Sequence, residues 1–251
     1  PESDTPWKKV IGLFDWHFPY HSRAAWLAVL EWVSKEKPDV IVIGGDHGDW
    51  HSVSTHGDGF DASFGDDVAS VDASLVQLSA AAPDAQIFYL EGNHETMLSR
   101  TVKQRYPALD SVLSIKEALK LEAKSIQWVP ETAQPIRIGK LHIIHGHQEM
   151  KGKSVPKYPA TKFEKYVPAA GDVLWFGHIH RFSHLSVARY GGQASIYSSG
   201  CGRVIDKGHG ANSWLHGEET GWQNGILIGH VWENGRVSTT EVDIKNGQFE
   251  W

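Results

Sequence analysis

A chain of 251 residues with a net charge of −6 can bury one sizeable core, and it lacks the basic surplus of proteins that hold duplex nucleic acid by its phosphates. Its single cysteine, Cys201, excludes an intrachain disulfide and a zinc centre built on thiolates. No apolar run reaches bilayer-spanning length, and the start Pro1-Glu2-Ser3-Asp4 has neither the charged nor the apolar part of a secretion signal, so a cytoplasmic protein without a membrane partner is expected.

In chain order, Lys9 to Phe14 is a short apolar run that reads as a strand. Arg23 to Lys37 follows, with Trp26, Val29, Leu30 and Val33 at helical spacing, and Pro38-Asp39 ends it. Val40-Ile41-Val42-Ile43 has the continuous apolar character of a strand buried on both faces. A second helix is expected over Asp67 to Ala82, stopped by Pro83, then a strand over Gln86 to Leu90 and a helix over Glu95 to Tyr106. Ser114 and Glu117 have capping-box spacing for a further short helix. This alternation predicts a layer of parallel strands with helices.

Beyond residue 136 the pattern becomes mainly strands. Ile136 to His145 reads as a hairpin turning at Gly139-Lys140. Strands are expected over Val173 to Phe176, Leu185 to Arg189, Ala194 to Ser198, Ile226 to Trp232 and Arg236 to Asp243, with Asn234-Gly235 and Asn246-Gly247 as tight turns. This half is expected to be mainly antiparallel. With no linker, repeat or low-complexity tract, residues 1–251 read as one domain of mixed α/β class. Two polar, glycine-rich stretches, Trp50 to Asp66 and Arg203 to Gln223, read as loops beside a site.

Five short pieces carry the chemistry: Asp15-Trp16-His17, Gly45-Asp46-His47-Gly48-Asp49, Gly92-Asn93-His94-Glu95, His145-Gly146-His147 and Gly177-His178-Ile179-His180. Each follows a strand-like run, and together they offer the convergent oxygen and nitrogen ligands that divalent metals need. Asp15 and His17, like His178 and His180, alternate by two, which on an extended strand aims both side chains one way.

The five pieces resemble the D-x-H, G-D-x-x-D, G-N-H-[D/E], H and G-H-x-H signature of the calcineurin-like metallophosphoesterases. The stretch from Lys9 through Asp49, with its Phe18-Pro19-Tyr20-His21 after the D-x-H, is further similar to a phage and prophage-type branch. The resemblance implies two mixed sheets packed as a sandwich flanked by helices, a two-metal centre, and hydrolysis of a phosphate ester. It assigns Asp15, His17, Asp46 and His180 to one ion, and Asp46, Asn93, His145 and His178 to the other, with Asp46 as the bridge. His94 becomes the general acid and Asp49 the carboxylate that orients it. Two ions about 3.5–4 Å apart can share a water and aim the resulting hydroxide in line at phosphorus. Ligands without thiolate suit manganese first, and iron, zinc or nickel also.

The neighbours divide. His47, His51, His56 and His147 fit no ligand slot, and His142 reads as a packed strand histidine. Cys201 reads as filling a small buried space. Trp50, Trp214 and Trp222 fall in the polar loops, where an indole can stack on a base or pack the loop down. Arg100, Arg181 and Arg203 each follow a motif or site loop and can clamp a phosphate oxygen. A phosphodiesterase acting on a small or single-stranded nucleotide-type substrate is expected, with a phosphomonoesterase and a noncatalytic scaffold for a protein partner as alternatives. Trp50, standing where protein serine/threonine phosphatases carry arginine, counts against that branch.

Overall fold

The computed structural model describes residues 7–54, 63–109, 112–150, 158–205 and 221–251. Chain order runs β1 (Lys8–Leu13), α1 (Arg23–Glu36), β2 (Val40–Ile43), α2 (Phe64–Ala81), β3 (Gln86–Leu90), α3 (Glu95–Arg105), α4 (Ile115–Ala118) and β4 (Ile126–Val129). It continues with β5 (Ile136–Ile138), β6 (Leu141–Ile144), β7 (Val173–Phe176), β8 (Ser183–Arg189), β9 (Gly192–Ser198), β10 (Gly225–Val231), β11 (Val237–Lys245) and β12 (Gln248–Glu250). A one-residue shift of a strand would exchange its two faces, and this chain uses both faces of its central strands. Ile11 and Leu13 of β1 and Ile41 and Ile43 of β2 pack with Trp26, Val29 and Val33 of α1 and Leu75 and Leu78 of α2. The alternate residues Val10, Val40 and Val42 pack instead against Leu141, Ile143 and Trp175 of the other sheet. Leu174 and Phe176 of β7 turn outward onto Phe163 of a 3-10 helix, Pro159–Tyr166. The layers are therefore helix, sheet, sheet and a short helical cover, the expected mixed sandwich.

The sheet orders are β12-β11-β10-β1-β2-β3-β4 and β5-β6-β7-β9-β8. Strands β1 to β4 run parallel, as the alternating pattern predicts. The second half is mainly antiparallel as expected, through β5–β6, β8–β9 and β10 to β12, with two features that the pattern did not show. In the second sheet β6, β7 and β9 are parallel neighbours, because the 3-10 segment and hairpin strand β8 act as crossovers. Strands β10 to β12 belong to the first sheet, where β10 lies antiparallel beside β1. Strand β4 was not expected, since Ser125-Ile126-Gln127-Trp128-Val129 mixes polar and apolar residues at an edge.

Caps account for the helix boundaries. The Ser22 hydroxyl accepts from Ala25 N, and Lys37 closes α1 in the left-handed region with its N–H on the Val33 carbonyl. Helix α2 begins three residues before the expected start because Ser63 caps it through Asp66 N, with Asp66 and Asp67 in the positive first turn. Ser114 accepts from Glu117 N, as its spacing predicts. Among the described residues no helix is long and apolar enough to cross a membrane.

Candidate metal centre

Strands β1, β2 and β3 run parallel in one sheet and β6 and β7 run parallel in the other, so within each sheet their ends present neighbouring loops. The loops after β1 and β2 continue the pairing. Asp15 N donates to Gly45 O (3.1 Å), His17 N to Asp46 O (3.0 Å) and Asp49 N to Phe18 O (2.9 Å). In the second sheet the loops after β6 and β7 do the same, with Gly177 N donating to His145 O (2.9 Å). A Cβ on Gly92 would stand 2.3 Å from Asp46 Oδ1, and one on Gly45 would meet the His145 ring at 2.5 Å. Any side chain at either position would collide with the site.

Five of the seven expected ligands stand on left-handed backbone: Asp15 (φ 55°), His17 (53°), Asp46 (49°), His178 (70°) and His180 (59°). This corrects the reading that each x-gap pair alternates along an extended strand. The strands end at Leu13 and Phe176, and successive left-handed residues re-aim the side chains. Such conformations cost free energy at each non-glycine residue and cluster where geometry serves function. Ile179, between two of them, is buried in the core.

The side chains form two adjoining clusters. In one, His17 Nε2 lies 3.2 Å from His180 Nε2, which lies 3.5 Å from Asp15 Oδ1. In the other, His145 Nε2 lies 3.3 Å from Asp46 Oδ2 and 3.2 Å from Asn93 Oδ1, and His178 completes the group. Two ligands each about 2.1 Å from one ion stand ~3.0–3.4 Å apart, which matches these spacings. The hydrogen bonds leave the right atoms over. Asp15 Oδ2 accepts from His178 N (2.7 Å) and Asp46 Oδ1 accepts from His94 N (2.8 Å), so one oxygen of each carboxylate faces its cluster. Asp15 Oδ1 is buried and has no hydrogen-bond partner, a costly state that a cation would relieve.

The imidazoles are set in the same sense. His145 Nδ1 donates to the Gly44 carbonyl and His17 Nδ1 to Asp49 Oδ1 (both 2.9 Å), which turns both Nε2 atoms inward. Burial holds His17 and His178 down at about 4, with Asp49 opposing at His17 and His145 adding at His178. Burial would lower His145 too, but the adjacent Asp46 carboxylate outweighs it and raises the imidazole to about 10. A metal entering here displaces that proton. The donor set of carboxylate, amide and imidazole thus fits divalent cations.

Glu95 escaped the sequence reading as anything more than the last letter of a motif. Its buried carboxylate accepts from Asp46 N, Gly92 N, His47 N, Gly48 N, Trp50 Nε1 and Tyr89 O–H at 2.8–3.4 Å. One side chain therefore ties the β2 loop to the β3 loop. Burial and the Asp46 charge push Glu95 upward, and the donors from Trp50 and Asp46 pull it back. The only signal in the sequence was its place three residues after Gly92 at the head of α3.

Asp49 and His94 meet differently from the expectation. The Asp49 carbonyl, rather than its carboxylate, takes His94 Nδ1 (2.6 Å), while Asp49 Oδ1 stands 3.9 Å from that atom. The carboxylate is engaged by His17 and by Arg203 Nη1 (2.5 Å). Burial acts to lower the His94 imidazole, yet Asp46, Asp49 and the Asp49 carbonyl outweigh it and raise it. Its Nε2 lies 4.0 Å from Asp46 Oδ2 and its side chain is partly exposed.

Arg203, one of three expected phosphate clamps, is 4 % exposed and lies over the Tyr20 ring while it pairs with Asp49. Arg100 reaches Thr96 Oγ1 at 3.3 Å. Trp50 is wholly buried on Glu95, the packing reading of the two open to it: an aromatic that follows a turn can fill the core beneath it. Trp222 packs its ring 4.5 Å from that of His180. Trp214 and His56 lie outside the described residues, as do 55–62 and 206–220 of the two loop stretches. His47 is buried with Nε2 2.8 Å from Ser74 Oγ, His142 packs beside Asp172, and His147 Nε2 lies 3.4 Å from Glu131. Cys201 is buried, and burial raises its thiol to about 12.

Comparison with known proteins adds the family. Residues 9–219 match the model of the calcineurin-like phosphoesterase family. No curated protein matches the chain. Among solved structures it is similar to wild-type Vps29 complexed with Zn+2 from Entamoeba histolytica, at 14 % identity, 96 % coverage of each chain and a TM-score of 0.49. It is similar also to Vps29 from Cryptosporidium parvum (12 %, 96 % of this chain and 94 % of that, TM-score 0.49). A third is a metallophosphoesterase from Sphaerobacter thermophilus (13 %, 94 % and 89 %, TM-score 0.47). These likenesses are distant, and nothing about function follows from them. A match that takes in all five motif pieces, whose side chains gather in adjoining clusters, leads to a single conclusion: the chain belongs to the calcineurin-like phosphoesterase family.

Proposed function

We propose that the protein is a divalent-metal-dependent phosphoesterase that cleaves phosphodiesters of small or single-stranded nucleotide type. Asp15, His17, Asp46 and His180 would hold one ion, and Asp46, Asn93, His145 and His178 the second, with manganese the first choice of metal. Bound ions of this kind supply positive charge to the phosphate oxygens and an activated water for attack on phosphorus. The observation that carries the reading is the pairing of two convergent ligand clusters with a separate histidine, His94, at their edge.

The chain's own residues do the rest. With Nδ1 tied to the Asp49 carbonyl, His94 holds Nε2 toward Asp46, and although burial opposes it, the Asp46 and Asp49 charges raise its affinity for a proton. It would give this proton to the leaving oxygen. Asp49 fixes both His17 and the backbone against which His94 leans, so it positions the acid and a ligand together. The retention of His94 and of every expected ligand favours hydrolysis over a noncatalytic scaffold. The acidic net charge favours a small or single-stranded substrate over a duplex.

The test is reconstitution with manganese, elemental analysis, and assay of aryl and alkyl phosphate esters. Two ions per chain and hydrolysis of at least one ester class are expected. His94→Ala should slow alkyl esters by about 10²–10⁴-fold but nitrophenyl esters far less, since a nitrophenolate leaves without a proton. Equal losses on both would remove His94 as the acid. Absence of hydrolysis with two ions bound would refute the enzyme reading.

A further inference from the structure

Helix α3 differs in charge from the acidic chain that carries it. From Thr96 to Leu109 the sequence holds Arg100, Lys103 and Arg105 and no carboxylate, whereas α2 holds Asp66, Asp67 and Asp72 and no cation. This cationic helix starts at the metal centre. Thr96 N donates to Gly92 O (3.2 Å), so the helical path begins with Asn93, an expected ligand. Asn93, Thr96, Arg100 and Lys103 then recur at the i, i+3, i+7 and i+10 spacing of one helix face.

That face is open where it leaves the centre. Thr96 is buried, with Oγ1 donating to the Asn93 carbonyl (2.8 Å), while Arg100 and Lys103 are exposed. Arg100 folds back toward the centre, its Nη2 donating to Thr96 Oγ1 (3.3 Å), so its charge stands about one helical turn from a ligand. Lys103 follows, ~15 Å along the axis from Asn93. The carboxylate facing Lys103 is half-buried Glu91, just after β3. Burial pushes that carboxyl up, its bond from Glu131 N pulls it down, and the Lys103 charge adds to the pull. Tyr106, 59 % exposed, closes the helix three residues beyond Lys103. A small ester bound at the metals ends well short of Lys103. A nucleotide strand continues, with a phosphate at every step and bases that stack on exposed rings.

We infer that the exposed face of α3 is a track for single-stranded nucleic acid, in which Arg100 and Lys103 hold phosphates next to the scissile one and Tyr106 stacks on a base. The inference rests on the phosphoesterase reading of the site, and it chooses a strand over a small diester.

The test uses metal-loaded protein, a fluorescein-labelled oligothymidylate and bis(p-nitrophenyl) phosphate. Anisotropy gives the affinity for the oligonucleotide over a range of salt concentrations. Each lost contact to a single strand should lower the slope of log affinity against log salt by about 0.7, so Arg100→Gln with Lys103→Gln should lower it by about 1.4. The same pair should cut kcat/KM for the oligonucleotide several-fold more than for the small ester, and Arg100→Lys should keep the wild-type slope. Tyr106→Ala should weaken binding about tenfold at an unchanged slope. An unchanged slope in the double variant would overturn the track. Equal losses on the two substrates would overturn it too, by placing these cations on the scissile phosphate. An unchanged affinity in Tyr106→Ala would overturn nucleic acid as the occupant. If the small ester is hydrolysed but the oligonucleotide neither binds nor reacts, the track fails and the phosphoesterase reading stands. If neither substrate is hydrolysed with metals bound, that reading fails, and the anisotropy slopes alone decide whether this face binds the strand.

Discussion

Replacing Glu95 by glutamine changes one oxygen into an NH2 group and leaves shape almost untouched, so it isolates the six-donor contact. On the Oε2 side the amide nitrogen would face Asp46 N and Gly92 N, both within 2.9 Å. On the Oε1 side it would face His47 N, Trp50 Nε1 and the Tyr89 hydroxyl. Either orientation sets donors against donors and loses at least two hydrogen bonds to a charged acceptor. At about 1.5–3 kcal/mol each, the loss is ~3–6 kcal/mol. That is a large part of the ~5–15 kcal/mol that holds a typical domain. For a protein of this size it corresponds to a fall in Tm of ~6–24 °C. Urea denaturation of metal-free wild type and Glu95→Gln gives the difference directly, with Glu95→Asp as a variant that keeps the charge but shortens the reach. Because Asp46 N is one of the donors, metal affinity should fall as well, by about 10–100-fold. A Glu95→Gln protein as stable as wild type, with unaltered metal affinity, would refute the role given to this carboxylate.

Arg203→Met should remove the cation from the buried Asp49 carboxylate and leave its His17 contact in place, at a cost of ~2–4 kcal/mol given that full loss of a buried pair costs about 3–5. Adding Asp49→Asn should recover part of that loss in a double-mutant cycle, and strictly additive losses would argue against the pair. His47 is buried and neutral, with burial holding it down at about 3, so the unfolded chain takes up a proton below pH 6.5 that the folded chain refuses. Its stabilising share is complete above pH 6.5 and drains as pH falls toward 3, at about 1.4 kcal/mol per pH unit. His47→Asn should flatten the denaturation midpoint between pH 6 and 4, and an unchanged slope there would show that other groups carry it.

Most of the strands were legible because Val40 to Ile43 and Val173 to Phe176 are apolar without interruption, which only a strand buried on both faces requires. Sheet membership was not. Nothing in Ile226-Leu227-Ile228 says that it pairs with Lys8 to Gly12 across the whole chain, since pairing of distant strands leaves no local trace. The motif pieces were visible in the sequence and their side chains do come together, yet the supposed reason for their convergence was mistaken. Asp15 and His17 converge through left-handed backbone, which tertiary hydrogen bonds to Gly45 and Asp46 impose. Trp50 and Arg203 stand in polar, glycine-rich surroundings that do not foretell their burial, which Glu95 and Asp49 make possible as partners. Long-range partners of this kind are invisible to any window of neighbouring residues.

The place of β10 beside β1 bears on how the protein is made. Lys8 pairs with Val231 and Gly12 with Leu227, so β1 waits for a strand that is made far later. Until residues 225–231 emerge, β1 keeps one unpaired edge, and the loop carrying Asp15 and His17 hangs from a strand supported on one side only. During translation that exposed edge is open to pairing with neighbouring chains. Contacts so far apart in sequence also slow folding in the free chain. Removal of the last three strands should thus yield an aggregating product instead of a smaller folded unit, even though six of the seven expected ligands precede residue 180 and the last is residue 180 itself.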